Sequence, residues 1–168
     1  MKYFFALIVF GFSITVMASD HREQGAHVHG SAKMNIAFDG LNGEVELNGP
    51  GDSIVGFEHK PTSESDKKTQ AEALEKLEKQ IGEMVFFDSS LSCEWKKEKI
   101  DIHHETNNHS NIEASWKVRC KKSVIGSQLI MNIQSFFPKV KDLDVQILVD
   151  TIQISAEAKK SKTSIKIK

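Results

Sequence analysis

The stretch Cys93-Glu-Trp95-Lys-Lys-Glu-Lys-Ile100-Asp-Ile102-His103-His104-Glu-Thr-Asn107-Asn108-His109-Ser-Asn-Ile112-Glu-Ala114-Ser-Trp116-Lys-Val118-Arg-Cys120 is bounded by the chain's two cysteines. Its second half alternates strictly. Ile112, Ala114, Trp116, Val118 and Cys120 fall on one face and mostly polar residues on the other, which is the period of two of a half-buried strand. The first half alternates only in part, but Trp95, Ile100 and Ile102 suit a pleated surface. Between the halves, the polar segment from His103 to His109 carries Asn107-Asn108, a pair fitted to a turn. Counting inward from a bonded cysteine pair sets Trp95 opposite Val118 and His104 opposite His109, unless a bulge intervenes. The stretch therefore reads as an antiparallel hairpin stapled at its base with histidines at its tip.

Whether the staple is made depends on the compartment, and the start of the chain speaks to that. Met1-Lys2-Tyr3 is followed by an apolar run from Phe4 to Val16 and then by Met17-Ala18-Ser19-Asp20. One positive charge, a short apolar core and small residues at its end mark residues 1–18 as a secretory signal peptide, cleaved after Ala18 or Ser19. The run is short for a bilayer and lacks a stop-transfer flank, so no membrane span is expected after cleavage. An even pair of cysteines in an exported chain forms a structural disulfide, Cys93 with Cys120. Residues 19–168 are then enough for a single domain with its own core. The formal net charge is -1. With both signs interspersed, this argues against nucleic acid or an anionic membrane surface as a partner.

Outward from the hairpin, Ala32, Met34, Ile36 and Phe38 alternate as a strand, and Asp39-Gly40 and Asn42-Gly43 signal turns before a second strand over Glu44–Leu47. Ser53–Phe57 is a third apolar run, read as a strand with His59 at its end. From Ser65 to Val85 the apolar residues Ala71, Leu74, Leu77, Ile81, Met84 and Val85 recur at helical spacing, with Ser63 and Asp66 resembling a capping box. Glu72 with Lys76 and Glu75 with Lys79 stand at i,i+4 in the favourable order. After Cys120, strands are expected at Leu129–Ile133, although Leu129, Ile130, Ile133 and Phe137 also fit a helix face, and at Leu143–Val149, Ile152–Ala156 and Ile165–Ile167. About eight strands to one helix give a mainly-β (α+β) class, an antiparallel β-sandwich with one amphipathic α-helix packed on it.

Seven histidines are the chemical inventory. His27 and His29 stand at i,i+2, so on an extended segment both point to one side and can reach one metal. His103, His104 and His109 gather at the hairpin tip, and His59 follows Glu58. Imidazole with an occasional carboxylate suits Zn(II), Cu(II) or Ni(II); the same histidines also fit solvated loop positions. No serine elbow, His-Glu-x-x-His helix or glycine-rich phosphate loop is present, so no enzyme chemistry is read.

Taken together, Ala26-His27-Val28-His29-Gly30, Gly56-Phe57-Glu58-His59-Lys60-Pro61, the Cys93 and Cys120 pair, and Phe136-Phe137-Pro138 resemble, in the same order, the ZrgA-like periplasmic zinc-binding proteins of Gram-negative bacteria. The resemblance spans essentially the whole chain after the signal. It implies one periplasmic zinc-binding domain over residues 19–168 that contributes to zinc uptake or buffering, with a zinc-uptake transporter component as its partner. The zinc ligands it implies are His27, His29 and His59, with His109 at a His-Ser motif; His104 beside it at the tip completes the candidate set. Members often carry a long His- and Asp-rich stretch near the tip, which here is reduced to His103–His109, and Asn111 stands where an acidic residue is common. This points to one or two defined sites. The alternative is a β-sandwich interaction module that binds a protein or glycan, with incidental metal affinity.

Overall fold

In the computed structural model, which describes residues 30–105 and 108–168, the stapled hairpin is formed by β4 (Glu94–His104) and β5 (Ser110–Arg119). Cys93 and Cys120 are bonded at its base, and Trp95 faces Val118 as counted. The register then shifts between Lys97 and Lys99, so that His104 faces Ser110 and not His109. A bulge adds one residue to one strand and displaces everything beyond it. The residue at the shift is Glu98, whose carboxylate pairs with Lys117 across the hairpin.

β5 pairs along its whole length with β2 (Asn42–Pro50), and β2 pairs with β1 (Ser31–Asp39) through a turn in which Gly40 takes a φ of 57°. On its other side β1 meets β7 (Asp142–Val149), which hairpins into β8 (Ile152–Ala158). The six-stranded sheet has the order β4-β5-β2-β1-β7-β8. All its pairs are antiparallel except β1 with β7, which runs parallel from Ser31 opposite Asp142 to Phe38 opposite Val149. A parallel pair needs a long crossover, and here nearly the whole middle of the chain supplies it.

The register gives this sheet one continuous apolar face. Met34, Leu47, Ala114 and Val145 lie across it in one row, and Ile36, Val45, Trp116 and Ile147 in the next, all buried. A smaller sheet of β3 (Val85–Phe87), β6 (Gln128–Met131) and β9 (Thr163–Lys166) shares its core, contributing buried Val85, Phe87, Leu129, Met131 and Ile165, with Phe87 edge-on to Phe38 of β1. Among the described residues the mainly-β class with two sheets and one disulfide is thus as expected, and the one long helix is α2 (Glu64–Met84).

Ser63 caps α2, its hydroxyl accepting the Asp66 N–H at 3.0 Å. The buried stripe is Ala73, Leu77, Ile81 and Met84, so Ala73 takes the place expected for Ala71. Gly82 lets the helix approach Trp95, since a Cβ there would stand 3.2 Å from the indole nitrogen. Lys79 pairs with Glu75 as expected, whereas Lys76 lies over the Phe137 ring at 5.5 Å and Glu72 meets Lys68 at 3.8 Å.

Two expected strand segments are otherwise. Ser53–Phe57 is no strand: Pro50, which cannot donate to a ladder, ends β2 and opens the short helix α1 (Gly51–Ile54), leaving Ser53 and Ile54 buried. β6 stops at Met131, and Ile133–Ser135 forms a 3-10 turn.

The strands align so that the starts of β1, β5 and β7 and the ends of β2, β4 and β8 share one end of the large sheet. The disulfide sits at the other end of the β4–β5 hairpin, roughly 35 Å along the strand from His104.

Candidate metal centre

At the histidine-bearing end of the sheet the chain enters through Gly30, with a φ of 85° that favours glycine. Its N–H donates to the buried Ser53 hydroxyl at 3.1 Å, and its carbonyl accepts from Lys141 and Asp142 at 2.7 and 2.9 Å. A Cβ at Gly30 would also come within 3.2 Å of the Lys139 carbonyl. The α1 turn is equally tight. A Cβ on Gly51 would lie 2.0 Å from the Ser110 hydroxyl oxygen and 3.1 Å from the Phe57 carbonyl. These two glycines draw the starts of β1 and β5 and the segment after α1 against one another.

The segment after α1 carries the Gly-Phe-Glu-His motif. Phe57 packs against the core, and the His59 ring stacks on it with centroids 4.5 Å apart and planes 25° apart. Glu58, between them, reaches His109 instead: its Oε2 is 2.6 Å from the imidazole Nδ1. The Glu58 side chain is only 10% exposed, while His109 is 47% exposed. His59 Nε2 stands 3.4 Å from Asp66 Oδ2 at the start of α2. The Ser63 hydroxyl, and secondarily His59, hold the Asp66 carboxyl below its usual range.

At the hairpin tip, the Glu105 N–H donates to the His109 carbonyl at 2.8 Å and Asn108 takes a φ of 57°, which asparagine tolerates. His104 is exposed on the same side of β4 as Ile100 and Ile102, opposite Ser110. His103 faces the other side and lies 3.4 Å from Glu113, beside Lys99. Lys99 chiefly, and His103 after it, draw the Glu113 carboxyl below its usual range. Asn111 is 9% exposed, and its Oδ1 has no hydrogen-bond partner among the described residues.

His27 and His29 lie outside the described residues, as does the expected signal peptide. Among the described residues, His59, His104 and His109 do not come together as a group of three. Among those residues, the one group of three His, Cys, Asp or Glu whose ligand atoms lie within 4.8 Å of one another is Asp142, Asp144 and Glu157. This acidic cluster went unread in the sequence, although Asp142 and Asp144 at i,i+2 on a strand share a face. It begins beside Gly30, and Lys159 Nζ already meets Glu157 at 2.9 Å. Loss of water contact, then the hydrogen bond with Glu157, raises the Asp142 carboxyl above its usual range. Glu58 was not among the zinc ligands expected from the sequence; its position inside the Gly-Phe-Glu-His motif was the available signal.

At the opposite end, a groove of about 780 Å³ runs along the other face of the sheet, with Ala37, Glu44, Lys117 and Leu148 among its lining. No helix of the described residues is long and apolar enough to cross a membrane. The family described as ZrgA family zinc uptake protein matches the chain over residues 26–167. No curated protein matches it.

Proposed function

The chain belongs to the ZrgA family of zinc uptake proteins, and from that premise we propose that it binds zinc in the periplasm through a histidine-lined site and passes it to a zinc-uptake transporter component. Residues 1–18 direct export and are removed; residues 19–168 act as one zinc-binding domain. Zinc is cargo in this reading, and the chain carries out no reaction on it. The Cys93–Cys120 bond supports an oxidising compartment.

The observation that carries the reading is the seating of Gly30. His29 is joined to it by one peptide bond and His27 stands two residues earlier, so the His-x-His pair is tethered to the end of the sheet that bears His109, Glu58 and His59. Three or four imidazole or carboxylate donors are what tetrahedral zinc takes, at about 2.0 to 2.1 Å. His27, His29, His59, His104 and His109 are the candidate donors.

The test is a zinc titration of the mature, tag-free protein against a competing chelator. Replacing His27 and His29 together by alanine should lower affinity by orders of magnitude with the fold intact, while His21→Ala should do much less. Because neutral imidazole is the ligand, binding should also be weaker at about pH 5.5 than at about pH 7.4. Unchanged affinity in the double variant would remove these two histidines from the site, and affinity indifferent to pH would argue against imidazole donors.

A further inference from the structure

We infer that Glu58 is the positioning residue of the zinc site: its carboxylate fixes the His109 ring and tautomer so that Nε2 is the atom presented to the metal. The inference rests on the zinc-binding reading above. Neutral imidazole has one N–H and one lone pair, and which nitrogen carries the proton is set by what the other atoms around the ring accept. Here a carboxylate oxygen stands 2.6 Å from Nδ1. An ionised carboxylate only accepts, so the proton sits on Nδ1 and the lone pair on Nε2. Metal-binding histidines are commonly oriented by a carboxylate in this way.

The local chain conformation holds Glu58 in that role. Phe57 before it is anchored on the core, and His59 after it is stacked on Phe57. Glu58 therefore has little freedom to turn elsewhere. On the other side of the pair, His109 is followed by Ser110, which is 2% exposed and abuts Gly51. Both partners thus hang from neighbours fixed in the core. A carboxylate that is 10% exposed is costly to leave without a partner, and the His109 ring supplies one. A sequence separation of 51 between the two residues means that only the folded sheet end brings them together.

The experiment compares wild type, Glu58→Ala, Glu58→Gln and His109→Ala in two measurements. One is zinc affinity by chelator competition; the other is nitrogen-15 NMR of the His109 ring in zinc-free protein. Wild type should show the proton on Nδ1. Glu58→Ala should lose that tautomer preference and bind zinc about 10- to 100-fold more weakly, with a smaller loss than His109→Ala. Glu58→Gln can still accept the Nδ1–H bond through its amide oxygen, and should recover much of both. If wild type fails to bind zinc, or His109→Ala binds like wild type, the zinc reading of this site falls. If His109→Ala loses affinity while Glu58→Ala keeps both affinity and tautomer, only the role of Glu58 falls. A loss in Glu58→Ala equal to that in His109→Ala, with the tautomer unchanged, would make Glu58 a direct ligand and overturn its positioning role.

Discussion

Reduction of the Cys93–Cys120 bond should destabilise the protein by about 3.6 kcal/mol, and the figure follows from where the bond lies. The cysteines are separated by 27 positions, so the bond closes a loop of about 28 residues, and the chain-entropy relation gives about 12 cal/mol/K for such a loop. Little offsets this on the native side. β4 and β5 stay paired from Glu94 to His104, and the bulge at Glu98 lies well inside the hairpin. The effect therefore falls on the unfolded chain, which gains freedom when the loop opens. Trp116, fully buried, and Trp95, half-buried on the same hairpin, report the transition by fluorescence. With a urea slope of about 2 kcal/mol/M, the midpoint should drop by about 1.8 M when reductant is added. Intact mass after alkylation without reductant should show no label, and two labels per chain would mean that the bond is absent. A midpoint shift below about 0.3 M in protein shown to be fully reduced would refute the loop-entropy argument.

The helix and the acidic cluster give further tests. Leu77 is 0% exposed, so Leu77→Ala should cost about 2 to 5 kcal/mol in denaturant melts. Lys76→Ala, which loses only an exposed contact with the Phe137 ring, should cost less than about 1 kcal/mol, and equal effects would place the packing face wrongly. At the acidic cluster, the Asp142 carboxyl is raised above its ordinary value of 3.8 by loss of water contact and by Glu157. A carboxyl raised on folding costs stability once the pH exceeds its folded-state value and costs nothing below the ordinary one. Asp142→Asn should therefore raise the melting temperature at neutral pH, with the gain vanishing below about pH 4; a gain that persists unchanged in acid would show that charge is not its cause.

The parts of the fold legible in the sequence are those written in local periodicity. The alternation of Ile112 to Cys120 and of Leu143 to Val149 gave strands whose inner faces are the buried ones. Ser63 marked the helix start because a cap is a contact between near neighbours. Ser53–Phe57 misled because its three apolar residues, Ile54, Val55 and Phe57, carry no period of two, and Pro50 with Gly51 decided for a helical turn. The tip register was out of reach because the shift at Glu98 leaves no compositional mark among Lys97, Glu98 and Lys99. The parallel pairing of β1 with β7 depends on which strands meet after a long excursion, which neither strand records. At the candidate site the His-x-His and Gly-Phe-Glu-His motifs were visible as chemistry. The pairing of Glu58 with His109 was not, because it is made by the sheet end and not by either motif.

The parallel pair of β1 and β7 also imposes an order in time. A growing chain emerges amino terminus first, so β1 can meet β2 early, but its other edge stays open until β7 has been made. The carbonyl of Gly30 waits equally long, since Lys141 and Asp142 are its donors. Until then β1 is an open edge, of the kind that pairs with whatever strand is nearest. A chain halted before Asp142 keeps the Ala-His-Val-His-Gly segment but not the ground on which Gly30 stands. Residues 142–168 therefore complete the seat of the glycine that ends the first motif.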